Sequence, residues 1–103
     1  MNKPKLFEKK YYNNRFYYTI KFNVMYKKSE AEWTWDSVNL PYGKFDYDTI
    51  VNAIVSYRYP ADKMQAIINN YLLDKDDQKV IDEFNEMQEW RKYAKSHAKE
   101  ILK

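Results

Sequence analysis

From residue 16 to residue 26 the chain alternates strictly. Phe16, Tyr18, Ile20, Phe22, Val24 and Tyr26 take every second position, with Arg15, Tyr17, Thr19, Lys21, Asn23 and Met25 between them. A period of two places the first set on one face of a β-strand and the second set on the other. Residues 5–12 read as a neighbouring strand. Asn13-Asn14 separates the two, and asparagine tolerates the positive φ that a two-residue type I′ turn demands. That turn pairs Tyr12 with Arg15, Tyr11 with Phe16, Lys9 with Tyr18 and Phe7 with Ile20. Phe7 and Tyr11 join the apolar face, while Glu8 and Lys10 fall opposite Thr19 and Tyr17 on the polar face.

The next break is Lys28-Ser29. A two-residue turn there pairs Lys27 with Glu30, Val24 with Trp33, Phe22 with Trp35 and Lys21 with Asp36. Both tryptophans are then expected on the apolar face and both ion pairs on the polar face. Each such cross-strand pair contributes about 0.2–1 kcal/mol, and a slip of one residue would expose both indoles. The reading is a three-stranded meander over 5–12, 15–27 and 30–38.

Pro41-Tyr42-Gly43, with the only glycine of the chain, ends the sheet. Helical spacing follows. Asp46 or Asp48 can cap a helix over 47–58 whose apolar side is Ile50, Val51, Ile54, Val55 and Tyr57. Pro60 suits the first turn of a second helix over 60–73. Its stripe is Met64, Ile67, Ile68, Tyr71 and Leu72, the i, i+3, i+4, i+7, i+8 pattern of an amphipathic helix. Asp74, Asp76 and Asp77 suit the start of a long third helix over 77–101, about 37 Å in length. Val80, Phe84, Met87, Ala94, Ala98 and Ile101 form its core stripe.

These elements predict one α+β domain over residues 1–103: a three-stranded antiparallel β-meander (5–38) followed by three α-helices (47–101) packed on its aromatic face. The expected core comprises Phe7, Tyr11, Phe16, Tyr18, Ile20, Phe22, Val24, Trp33 and Trp35 of the sheet. The helices add Ile50, Ile54, Met64, Ile67, Ile68, Tyr71, Leu72, Val80, Phe84 and Met87.

At 103 residues the chain is long enough to bury roughly two-thirds of its unfolded surface without staples. With no cysteine, disulfides, thiolate zinc sites and cysteine nucleophiles are excluded. No secretory leader or membrane-spanning run is readable, so a cytoplasmic bacterial protein without membrane association is expected. Charge changes the picture more. Residues 1–28 carry eight Lys or Arg against one Glu, a balance of +7, whereas residues 29–103 carry ten basic and fourteen acidic side chains. Fifteen of the nineteen aromatic residues lie in positions 1–60. A basic, aromatic sheet is one way to hold single-stranded nucleic acid. Equally, lysines on sheet faces and edges guard against aggregation.

Candidate chemistry is sparse. Asp74, Asp76, Asp77 and Asp82 hint at a calcium loop, but Lys79 and Asn85 stand where an EF-hand needs Gly and Glu, so helix capping is the simpler reading. His97 is the single histidine, and no catalytic triad, phosphate-binding glycine loop or metal signature can be assembled. No cofactor or metal is expected, and the chain reads as a non-enzyme. Residues 50–71 could form a helix-turn-helix with Arg58-Tyr59-Pro60 as the turn and Lys63, Gln65, Asn69 and Asn70 as readers. A plain helical hairpin on the sheet is the alternative. On the last helix, Met87, Trp90, Arg91, Tyr93 and His97 form a candidate protein interface, since aromatic and Arg side chains anchor interfaces. Trp90 could equally cover an edge of the core. The candidate nucleic-acid contacts are Lys10, Arg15, Tyr17 and Lys21.

Several stretches carry a family resemblance: Tyr57-Arg58-Tyr59, Met64 through Leu73, Glu83-Phe84, Met87-Gln88-Glu89-Trp90-Arg91 and Ala94-Lys95. Over roughly residues 47–100 the chain resembles small uncharacterised proteins of prophages and mobile elements of gut bacteria. Some phage tail-associated proteins have a similar ending of short helix, acidic loop and long helix. The resemblance implies a phage-related origin and assigns no activity to any residue. The expected function is a non-catalytic protein–protein interaction or assembly factor, with self-association plausible. The alternative is nucleic-acid binding through the basic sheet or the helix-turn-helix-like segment.

Overall fold

The computed structural model describes residues 2–103. Three strands, β1 (Phe7–Tyr12), β2 (Arg15–Lys27) and β3 (Glu32–Asn39), precede three helices, α1 (Tyr47–Arg58), α2 (Ala61–Leu73) and α3 (Gln78–Ile101). The sheet is antiparallel, in the order β1-β2-β3. The α+β meander-then-helices architecture is therefore the one the periodicities dictate.

The β1–β2 register is the expected one, from Phe7 opposite Ile20 to Tyr12 opposite Arg15. Asn13 and Asn14 take φ of 50° and 62°, as the type I′ turn requires. The β2–β3 register is not the expected one, for two reasons. The connection occupies residues 28–31 rather than two residues. It closes through Glu30 N–H to Lys27 O and Ala31 N–H to Lys28 O, with Ala31 at φ 51°, so Lys27 pairs with Glu32. A β-bulge then lets Asn23 and Val24 together oppose one residue of β3, with Asn23 at φ 53°. Beyond the bulge Phe22 faces Asp36 and Lys21 faces Ser37. The net one-residue shift moves Trp33 and Trp35 off the helix-covered face, correcting the expectation that both are core residues.

The helices cover the face bearing Tyr18, Ile20, Phe22 and Val38. Ile20, Phe22, Ile50, Ile54 and Met87 are fully buried there. Asp46 caps α1 by accepting from the N–H and the hydroxyl of Thr49, both at 2.9 Å. Asp77 caps α3 by accepting from Lys79 N–H at 2.9 Å. The Trp90 indole N–H donates to Ile54 O at 3.0 Å, tying α3 to α1. The helix α2 packs mainly on α3, where Tyr71 and Phe84 stack at 4.0 Å.

The core covers less of β2 than expected: residues 19–22 in the middle of the strand are buried and both its ends are exposed. Phe7, Phe16 and Tyr11 are exposed, Tyr11 to 70%, because the β1–β2 hairpin overhangs the helix layer. Leu72 also faces solvent. Leu40, Tyr59 and Trp90 join the interior, beside Ala94, Ala98 and Ile101 of the expected α3 stripe. The radius of gyration is 16.4 Å, against about 13 Å for a compact chain of this length. Among the described residues, no helix is long and apolar enough to cross a membrane.

Candidate functional site

Strand alternation places Glu8, Lys10 and Tyr12 of β1, Arg15, Tyr17, Thr19 and Lys21 of β2, and Trp33, Trp35 and Asn39 of β3 on the sheet face opposite the helices. Among the described residues no helix packs over this face, although Thr19 and Lys21 at its centre are buried. Its centre is closed by its own side chains. The Lys21 ammonium lies 2.9 Å from a Glu8 carboxylate oxygen and 4.6 Å from the Trp35 ring centroid. The same Lys21 holds the Glu8 carboxyl below its usual range, first by hydrogen bonding and then by charge. Thr19 donates its hydroxyl to Asn39 Oδ1 at 2.7 Å.

Towards the hairpin this face opens into a recess of about 290 Å³, lined by Tyr12, Tyr17, Asn39, Leu40, Pro41 and Tyr42. The turn 41–44 forms its rim and closes through Lys44 N–H to Pro41 O. Gly43, at φ 72°, sits at the third turn position, where a type II turn needs a left-handed residue. The turn stands Tyr42 edge-on to Tyr17, centroids 5.9 Å apart. The Arg15 guanidinium lies 5.6 Å from the Tyr42 centroid. Lys10, Arg15, Tyr17 and Lys21 thus share one face, but the charge of Lys21 is spent on Glu8. Tyr12, Asn39 and Tyr42, which build the recess with Tyr17, were missed. Tyr42 lies outside any periodic element, so only its proximity to Gly43 in a turn could have marked it.

The candidate interface on α3 is largely interior, and this expectation is corrected. Met87 is fully buried and Trp90 is 7% exposed. The reason lies in strand lengths. The strand β2 has 13 residues and β1 has 6, so half of one β2 edge has no strand beside it. Lys21 N–H still reaches Leu6 O at 2.8 Å. Past that point side chains of α3 take over. The Tyr93 hydroxyl accepts from Asn23 N–H at 2.7 Å, and the His97 Nε2–H donates to Lys21 O at 2.7 Å. Burial raises the Tyr93 phenol pKa. Trp90, Tyr93 and His97 stack in series at 5.2 and 5.4 Å. Arg91, half-buried, donates to Gln88 Oε1 at 3.4 Å. These residues seal a sheet edge.

A second, broader cleft of about 720 Å³ lies beside the bulge, between Asn23, Arg58 and the acidic flank of α3 around Asp82, Glu86 and Glu89. Asn23 Nδ2 donates to Asp36 at 2.9 Å, and the Asp36 carboxylate raises the neighbouring Tyr57 phenol pKa. Arg58 is drawn over the rings of Tyr59 and Trp90. Among the described residues, no three ligating side chains converge on a metal-sized site. In the helix-turn-helix reading the turn residue Tyr59 is buried in the core. Of the supposed reading side chains, Lys63 lies over Tyr59 and Gln65 bonds Asn69.

A scan against protein-family models finds no match, and searches of curated proteins and of solved structures find no significant similarity.

Proposed function

We propose that the protein is a non-catalytic interaction module, a small accessory or assembly factor of a prophage or mobile element, that docks a macromolecular partner on its open sheet face. One observation carries the reading: Tyr12 and the turn residue Tyr42, both exposed, flank Tyr17 at one end of the sheet face opposite the helices, and the exposed Trp35 lies further along it. An isolated exposed aromatic is ordinary, whereas a contiguous group marks a binding surface. The likeness of residues 47–100 to prophage proteins supports the phage-related origin. The helical half serves as the scaffold that covers the other face of the sheet and closes its edge.

The test is affinity capture from cells that encode the protein, comparing the wild-type chain with Trp35→Ala/Tyr42→Ala and with Glu86→Gln on the opposite side. The expected result is a partner retained by wild type and Glu86→Gln and lost by the double variant. Equal capture by all three removes the open face as the working surface.

A further inference from the structure

We infer that the occupant of the open face is a single-stranded nucleic acid, with one base in the tyrosine-walled recess and the flanking phosphates on the hairpin cations. The inference rests on the open face being the working surface. Three observations carry it.

Charge comes first. Residues 9–17, the overhanging hairpin, hold Lys9, Lys10 and Arg15 and no carboxylate; Lys10 and Arg15 lie on the open face, whereas Lys9 lies on the other, 4.2 Å from the Phe16 ring centroid. On the open face the neighbouring acid, Glu8, is paired with Lys21 at 2.9 Å, and Glu100 lies on the other side, beside Lys9. The open side of the hairpin is therefore a positive strip that complements a phosphodiester backbone, on the face of the sheet away from the helices. Second, the recess has the chemistry of a base site. Three phenol rings, Tyr12, Tyr17 and Tyr42, surround it. At about 290 Å³ it sits at the lower bound of ligand clefts, roughly 300–1,000 Å³, which suits one planar ring system. Base–aromatic stacking is tolerant of sequence because every base has a π-face. Third, polar groups are poised at the rim. Asn39 Oδ1 is occupied by the Thr19 hydroxyl, which leaves its exposed amide Nδ2–H₂ to donate to a base carbonyl. The Arg15 guanidinium, held over Tyr42, keeps its in-plane N–H donors for a phosphate. A duplex hides its base faces, so the recess selects single strands.

Fluorescence anisotropy of labelled oligothymidylate and oligouridylate across a salt series tests the inference. Neutralising two phosphates on a single strand, by Lys10 and Arg15, predicts a log–log salt slope of about −1.4, so a tenfold rise in salt weakens binding by about 25-fold. Tyr42→Ala is expected to weaken binding by about 5- to 150-fold, the range for losing one stacked base. Arg15→Gln is expected to flatten the slope by about 0.7, and Glu86→Gln to change nothing. Near-UV circular dichroism checks that each variant keeps its tertiary packing. No binding at low salt overturns the inference, as does binding that is indifferent to both Tyr42→Ala and Arg15→Gln. So does duplex or free mononucleotide competing as well as the strand. Capture of a protein partner by the same face, without oligonucleotide binding, overturns this inference and leaves the interaction-module reading intact. Loss of neither partner class in Trp35→Ala/Tyr42→Ala overturns both.

Discussion

Among the three tryptophans, position in the layer outweighs residue type. Trp90 is 7% exposed, and its indole N–H is satisfied by a backbone carbonyl of α1. Trp35 is 41% exposed, and its ring meets only the Lys21 ammonium among the contacts described. Truncating a buried tryptophan removes both its packing and its hydrogen bond, at a cost of about 3–5 kcal/mol. Trp90→Ala is therefore expected to be that destabilising in urea denaturation. Trp35→Ala is expected to cost at most about 1 kcal/mol. Equal losses would restore the register in which Trp35 lies under the helices.

Glu8 and Asp46 share another residue-scale property, a carboxyl pKa held low in the native state. The cause is Lys21 for Glu8 and the Thr49 backbone and hydroxyl for Asp46. A lowered native pKa contributes stability that is complete above the ordinary carboxylate range, near pH 4, and is lost as pH falls through the native values. The urea midpoint is expected to hold from neutral pH to about pH 5 and to fall below about pH 4. Asp46→Asn, which keeps a capping oxygen, is expected to show a smaller acid loss. An unchanged acid response in Asp46→Asn and Glu8→Gln would remove these two groups as its source.

Among the elements, the relation between β2 and α3 organises the molecule. A strand twice as long as its neighbour leaves backbone groups without a ladder partner, and a helix bearing Tyr93 and His97 four residues apart supplies substitutes. The i, i+4 spacing puts both side chains on one helix face, in step with Asn23 and Lys21 on the strand edge. Tyr93→Phe keeps the ring and deletes the acceptor. Leaving the Asn23 N–H unpaired at this partly buried site is expected to cost about 1–3 kcal/mol. Hydrogen exchange provides the local readout. The Asn23 amide is expected to exchange faster in Tyr93→Phe, and unaltered protection would show that another group satisfies it. The same element pair explains why an aromatic helix flank resembled an interface in the sequence. Aromatic, Arg and His side chains close a sheet edge as readily as they anchor a partner.

At the scale of the molecule, the helices close one face and one edge of the sheet and leave the other face and the hairpin bare. The principal extents, 49 × 38 × 24 Å, describe a flat, elongated body. Small-angle scattering of the monomer is expected to give a radius of gyration near the 16.4 Å of the Cα trace, plus its hydration layer. A value near 13 Å, that of a compact chain of this size, would mean that the hairpin folds back onto the body. The overhang sets the turn end of basic, aromatic β1–β2 apart from the acidic start of α3.

Much of this was legible in the chain itself. The period of two over residues 16–26, the Asn13-Asn14 turn and the helical stripes depend on local chemistry and on neighbours a few residues away. They specified the element order and the β1–β2 register, and narrowed the helix caps to short acidic runs from which the structure selects Asp46 and Asp77. The β2–β3 register, the faces of Trp33 and Trp35 and the burial of Trp90 depended on a four-residue connection and a left-handed Asn23. The connection closes on its own local hydrogen bonds, whereas Asn23 is held by partners distant in sequence, Asp36 and Tyr93, and no pattern along the chain records those partners. The recess of Tyr12, Tyr17 and Tyr42 joins a hairpin to a turn 25 residues beyond Tyr17. Hydrophobic period is a property of one segment, whereas a surface is made by segments meeting, so the sequence determined the elements and tertiary packing decided which face met the solvent.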